Sequence, residues 1–113
     1  MFRITEKRTI EWPVAISVPQ DGGKVKQVMT RVEFELLDQA DYEAVSAEGD
    51  IALMHRAVVG WPSGEFQDAK GGTLAFDSDS LEMLMQIPYV RAGFVTAYLH
   101  VMAGREAARK NSR

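Results

Sequence analysis

The sequence predicts an α+β fold: an N-terminal antiparallel β-hairpin or three-stranded sheet followed by about four helices packed on it. Three observations carry this reading. Residues 1–36 alternate apolar and polar side chains with the period of a strand. From Leu37 onward the apolar spacing becomes helical, and Asp38, Asp50 and Asp77 stand where helix starts want a capping acid. Strands first and helices after is the order of an α+β chain, with no internal repeat and no linker to divide it. Residues 1–104 therefore form a single domain, and residues 105–113 form a basic, frayed tail.

In the first run, Trp12, Val14, Ile16 and Val18 share one face, and Glu11, Pro13, Ala15 and Ser17 the other. Pro13 cannot donate to a ladder, which suggests an edge strand. The second run, Lys24 to Leu36, turns Val28, Val32, Phe34 and Leu36 inward. Pro19-Gln20-Asp21-Gly22-Gly23 between them is a hairpin signal. A two-residue Asp21-Gly22 turn would set Ile16 opposite Gln27 and Trp12 opposite Arg31, mixing apolar with polar on one face. A three-residue Asp21-Gly22-Gly23 loop sets Ile16 opposite Val28 and Trp12 opposite Val32, and is preferred. Phe2 and Ile4 are expected to add a short third strand through a turn near Glu6 to Arg8.

Asp38 begins the first helix, with Leu37 packing on Tyr42 as a hydrophobic staple, and Gly49 ends it. Asp50 is read as the cap of a second helix over Ile51 to Val59, with Ile51, Met54, His55 and Val58 on one face and Gly60 as its stop. Trp61 to Thr73 is rich in Gly and Pro and reads as an excursion, a small hairpin turning at Asp68 to Gly72. Phe76, Asp77 and Leu81 repeat the staple and cap, Leu81, Leu84 and Met85 form the buried stripe, and Ile87-Pro88 ends that helix. The last helix, Pro88 to Ala103, is apolar nearly all round, with only Arg91, Thr96 and His100 interrupting. Such a helix is buried on all sides, and a chain of 113 residues has little material to surround it, so a second chain is expected to supply part of the cover.

Composition narrows the function. Hydrophobic residues make up 46% and charged residues 26%, the profile of an ordinary globular protein. The chain has no Cys, which excludes a disulfide framework, a thiol nucleophile and thiolate metal sites, and points to a cytoplasmic address. No apolar signal segment opens the chain and no stretch is long enough to span a bilayer, so no membrane is expected as a partner. The net charge of −3 divides unevenly: between Arg31 and Arg56 stand seven acids and no Lys or Arg. An acidic body repels phosphate, which argues against nucleic acid.

No catalytic constellation is visible. His55 and His100 lie on different helices without metal-ligand spacing, and there is no nucleophile elbow, phosphate loop or dinucleotide fingerprint. No catalytic, cofactor-binding or metal-binding residue is assigned, and an enzyme is not expected; an enzymatic reading would pair His55 with a carboxylate. The interaction candidates are Trp61, Tyr89, Gly93, Phe94, Ala97, Tyr98 and Val101. Trp61 either caps the core edge or stands in a partner's pocket. Gly93 and Ala97, four apart, would let another helix approach closely.

TIEWPVAISVPQDGG, VVGWPSGEF and LAFDSDSLEMLMQIPYVRAGFVTAYLHVMAGREAARKN, in that order, resemble the tail assembly chaperones of long-tailed bacteriophages and prophages. The resemblance implies a non-enzymatic protein used while the tail is built and absent from the finished virion. Such chaperones coat the long, helical, apolar tape measure protein and keep it soluble until tail tube subunits polymerise around it. They self-associate, and many have a longer frameshifted product, of which this chain would be the short form. The implied partners are thus the tape measure protein, the tail tube protein and further copies of the chain, in the host cytoplasm. The family has no catalytic motif or residue-by-residue binding signature to carry over. The alternative is a tail terminator or connector subunit retained in the virion.

Overall fold

The computed structural model describes residues 1–4 and 8–107. Two twelve-residue strands, β1 (Thr9–Gln20) and β2 (Lys24–Glu35), pair along their whole length. The loop is Asp21-Gly22-Gly23, both glycines have left-handed φ near +80°, and Ile16 lies opposite Val28 and Trp12 opposite Val32. This is the register the alternation demands, because it alone keeps Val14, Ile16, Val32 and Phe34 on one buried face. Thr30 is the polar residue on that face, and its hydroxyl donates to the Val14 carbonyl at 3.1 Å.

α1 (Gln39–Ser46) is capped by Asp38, whose carboxylate accepts the Asp41 N–H at 2.9 Å. α2 (Asp50–Ala57) buries Leu53, Met54 and Ala57. Its cap is Gly49, not Asp50, which is the first helical residue and acts only through its charge in the first turn. Nor does α2 run on to Gly60: it passes at once into β3 (Val58–Gly60), antiparallel to β2 with Val58 opposite Phe34. The sheet order is β1-β2-β3, so β1 is an edge, as Pro13 indicated. The third strand is therefore not built from Phe2 and Ile4, which are exposed and outside any strand. The third strand instead comes from two β-branched valines following α2, which pair on the free edge of β2 beside Phe34. The expected turn at Glu6 to Arg8 falls mostly on residues 5–7, outside the described ones, as do residues 108–113 of the basic tail.

The excursion closes as a hairpin with Gln67 paired to Thr73, its turn held by the Asp68 carboxylate, which accepts the N–H groups of Lys70 and Gly72. α3 (Ser78–Met85) is capped by Asp77 through the Ser80 N–H at 2.7 Å and buries Leu81, Leu84 and Met85. α4 (Pro88–Met102) opens on Pro, where the missing N–H costs nothing. It runs antiparallel to β1, since Gly93 lies on Ala15 while Tyr98 reaches Glu35, the residue opposite Thr9. One core unites β1, β2, α2, β3, α3 and α4. α1 adds to it only the half-buried Tyr42 and Val45.

Two contacts fix α4 on the sheet. A Cβ at Gly93 would stand 2.5 Å from the Ala15 carbonyl oxygen, so the small residue serves an approach to strand backbone rather than to another helix. The fully buried Tyr98 donates its hydroxyl to the Glu35 carbonyl at 2.9 Å, receives the Leu37 N–H at 3.4 Å, and tilts against Phe34 with ring centroids 5.3 Å apart. Burial pushes its phenol pKa up, so it remains a donor at neutral pH.

Gly93→Ala forces α4 away from β1 and is expected to lower stability by about 1–3 kcal/mol despite Ala's better helix propensity; urea denaturation measures it. Tyr98→Phe leaves the Glu35 carbonyl and the Leu37 N–H unpaired and is expected to cost about 1–2 kcal/mol with the fold intact by circular dichroism.

Candidate functional site

The seven interaction candidates separate into two groups. Trp61, Phe94, Ala97 and Tyr98 are buried in the chain's own core. Trp61, 9% exposed, packs its ring on Phe66 and edge-on against Phe76, and its indole N–H donates to the Leu74 carbonyl at 2.9 Å. Phe66 continues the aromatic row to Phe94. Trp61 thus caps the core edge, and its polar handle is spent inside the chain. Gly93 is covered by β1, and Val101 is half-buried against the core. Tyr89, 39% exposed, is the candidate that reaches the surface.

α4 is consequently not buried on all sides. Val90, Phe94, Ala97 and Tyr98 face inward. On the opposite side Tyr89, Ala92, Thr96 and Leu99 recur at the three-and-four spacing of one helical stripe, and all four are exposed, Leu99 by 44%. No charge interrupts this stripe. Beside its N-terminal half the sheet contributes a second wall: Ala15, Ser17 and Gln27 with Tyr89, Ala92, Gly93 and Thr96 enclose an open groove of about 310 Å³. A helix or extended segment could lay apolar side chains there. Sequence reasoning missed Leu99 and Ala92, because in a helix without a polar face nothing local distinguishes inward from outward.

The molecule's other notable polar arrangement joins α2 to α3. His55 Nε2 and Glu82 Oε1 are 2.7 Å apart, and Gln86 donates its amide to the other carboxylate oxygen. The Gln86 hydrogen bond, then that from His55, holds the Glu82 carboxyl below the usual glutamate range. Both Glu82 oxygens are committed, so the pair acts as an interhelical tie. On the sheet's outward face, Arg31 reaches both carboxylate oxygens of Glu65 at 3.3 and 3.4 Å, and Arg56 pairs with Glu35 at 2.9 Å. Glu11 and Glu33 lie directly opposite each other and, with Gly60, Trp61 and Pro62, line a second open groove of about 270 Å³.

Among the described residues no group of three His, Cys, Asp or Glu side chains is placed to hold a metal ion, and no helix is long and apolar enough to cross a membrane. No protein-family model, curated protein or solved structure matches the chain.

The Glu82 tie carries a pH dependence. A carboxyl whose folded pKa lies below its unfolded value of about 4.5 stabilises the fold above that pH, and the contribution disappears as pH falls through the lower folded value. Acid denaturation followed by fluorescence is expected to show this loss below about pH 4.5, and Glu82→Gln to remove that part of the dependence.

Proposed function

We propose that this chain is a non-enzymatic assembly chaperone for the tail of a long-tailed bacteriophage or prophage, acting in the cytoplasm of the bacterial host. Its client is the tape measure protein, kept soluble until the tail tube assembles around it. The observation that carries the reading is the uncovered stripe Tyr89-Ala92-Thr96-Leu99 on α4, apolar except for Thr96, with the groove beside it. The resemblance of the EWPV, VVGWPSGEF and IPYVRAGFVTAY runs supplies the client's identity.

The physics suits a chaperone. An apolar helical client aggregates through its own exposed stripe, and a partner stripe of matching period covers it at modest affinity, so that tube subunits can displace it. The acidic remainder keeps the complexes apart and soluble. Side chains of the stripe come from a rigid helix anchored at Gly93 and Tyr98, so little ordering cost attends each contact. Copies of the chain acting together would cover a client far longer than one stripe.

Co-expression with the tape measure protein from the same genome tests this: the client is expected in the soluble fraction only when the chain is present. Leu99→Asp places a charge in the stripe and is expected to weaken client binding at least about tenfold, read by titration calorimetry, with the denaturation midpoint unchanged. A client equally soluble without the chain ends the proposal, and recovery of the chain from purified virions moves it to the structural class of terminator or connector subunits.

A further inference from the structure

The outer part of the β1–β2 hairpin is the second uncovered surface. Beyond Ile16 the inward face of the ribbon continues through Val18, half-buried and still packed on the core, to Val28, Lys26 and Lys24 toward the tip. Val28 is 37% exposed and both lysines are exposed. Neither lysine forms a salt bridge among the described residues. In a chain of net charge −3, the only charge on this outer segment besides the two lysines is Asp21.

At the other end of the same ribbon the charges are reversed. Glu11 and Glu33 are cross-strand neighbours, an arrangement that costs free energy in the isolated chain because like charges stand directly opposite. Arg31 attends to Glu11 but is engaged by Glu65. Beside the two carboxylates, Gly60, Pro62 and the edge of the buried Trp61 complete an open groove that is mainly polar.

We infer that the cationic tip of one copy, Lys24, Lys26 and Val28, docks in the Glu11–Glu33 groove of a second copy. The occupant must be another molecule. The ribbon from Glu11 to the Asp21-Gly23 loop is about 33 Å long at the rise of a β-strand, and its ladder is continuous, so the tip cannot fold back to its own groove. Two lysines on one face of β2, about 7 Å apart, meet two carboxylates about 5 Å apart, with the exposed Val28 set against the half-buried Pro62 at the groove's rim. Tip and groove are different surfaces, so the contact is head-to-tail and generates a ring or an open chain of copies. It uses neither face of α4, and it stands or falls independently of client binding.

Light scattering behind a sizing column, at about 0.05 M and about 1 M salt, reads the contact. The wild-type chain is expected to run above monomer mass at low salt and to approach it at high salt. Lys24→Glu/Lys26→Glu, at exposed positions remote from the core, is expected to be monomeric at both salts with an unchanged denaturation midpoint. Glu11→Lys/Glu33→Lys is expected to be monomeric too, and an equimolar mixture of the two variants to recover the wild-type mass. A wild-type chain that is monomeric at low salt, a tip variant that associates as well as wild type, or a mixture that stays monomeric overturns the inference.

Discussion

The seating of α4 on the backbone of β1 at Gly93 is the contact on which the rest of the structure depends. Without a Cβ, the helix settles onto the Ala15 carbonyl, and this depth brings Phe94 within reach of Phe66 and Tyr98 within reach of Phe34 and Glu35. Phe66 in turn backs Trp61, whose indole holds the excursion through Leu74. A helix held farther out would open a gap under each of these side chains, and interiors tolerate such gaps poorly. The same seating leaves the opposite side of α4 in solvent, so one geometrical fact creates both the core and the candidate surface.

The polar atoms inside show how the arrangement is balanced. Thr30 and Tyr98 satisfy themselves on strand carbonyls. Trp12 Nε1 and His100 Nδ1 are sealed from solvent with no hydrogen-bond partner, the two such side-chain atoms among the described residues. Each carries a desolvation cost of about 1–3 kcal/mol that apolar packing around it must offset. Trp12 lies on β1 and His100 on α4, the helix seated on that strand.

Local rules made the hairpin, its register and the Asp38 and Asp77 caps legible, because each depends on residues within one turn or one cross-strand pair. Val58-Val59 was not legible as a strand: it continues the helical spacing of Met54 and His55, and only Phe34, twenty-odd residues away, tells the chain to extend there. Gly93 was legible as a site of close approach but not as to what approaches. The inward and outward sides of α4 were illegible for a different reason, since a helix apolar all round has no local signal of orientation, and Phe94, Ala97 and Tyr98, interaction candidates by sequence, belong to the chain's own core. The His55–Glu82 tie and the Arg31–Glu65 pair join residues far apart in the chain and follow only from the packing of the elements.

α1 stands apart from all this. It sits between β2 and α2, yet buries no residue and rests on the core only through Tyr42 and Val45. Its free energy of detachment is therefore a small part of the global value, and it belongs to the class of segments that open while the remainder stays folded. Asp38 and Gly49 bracket it with a cap at one end and a left-handed glycine at the other, so the segment can melt and reform between fixed points. The link between β2 and α2 thus carries little of the core, and α1 is the helix whose loss would cost the remaining packing least.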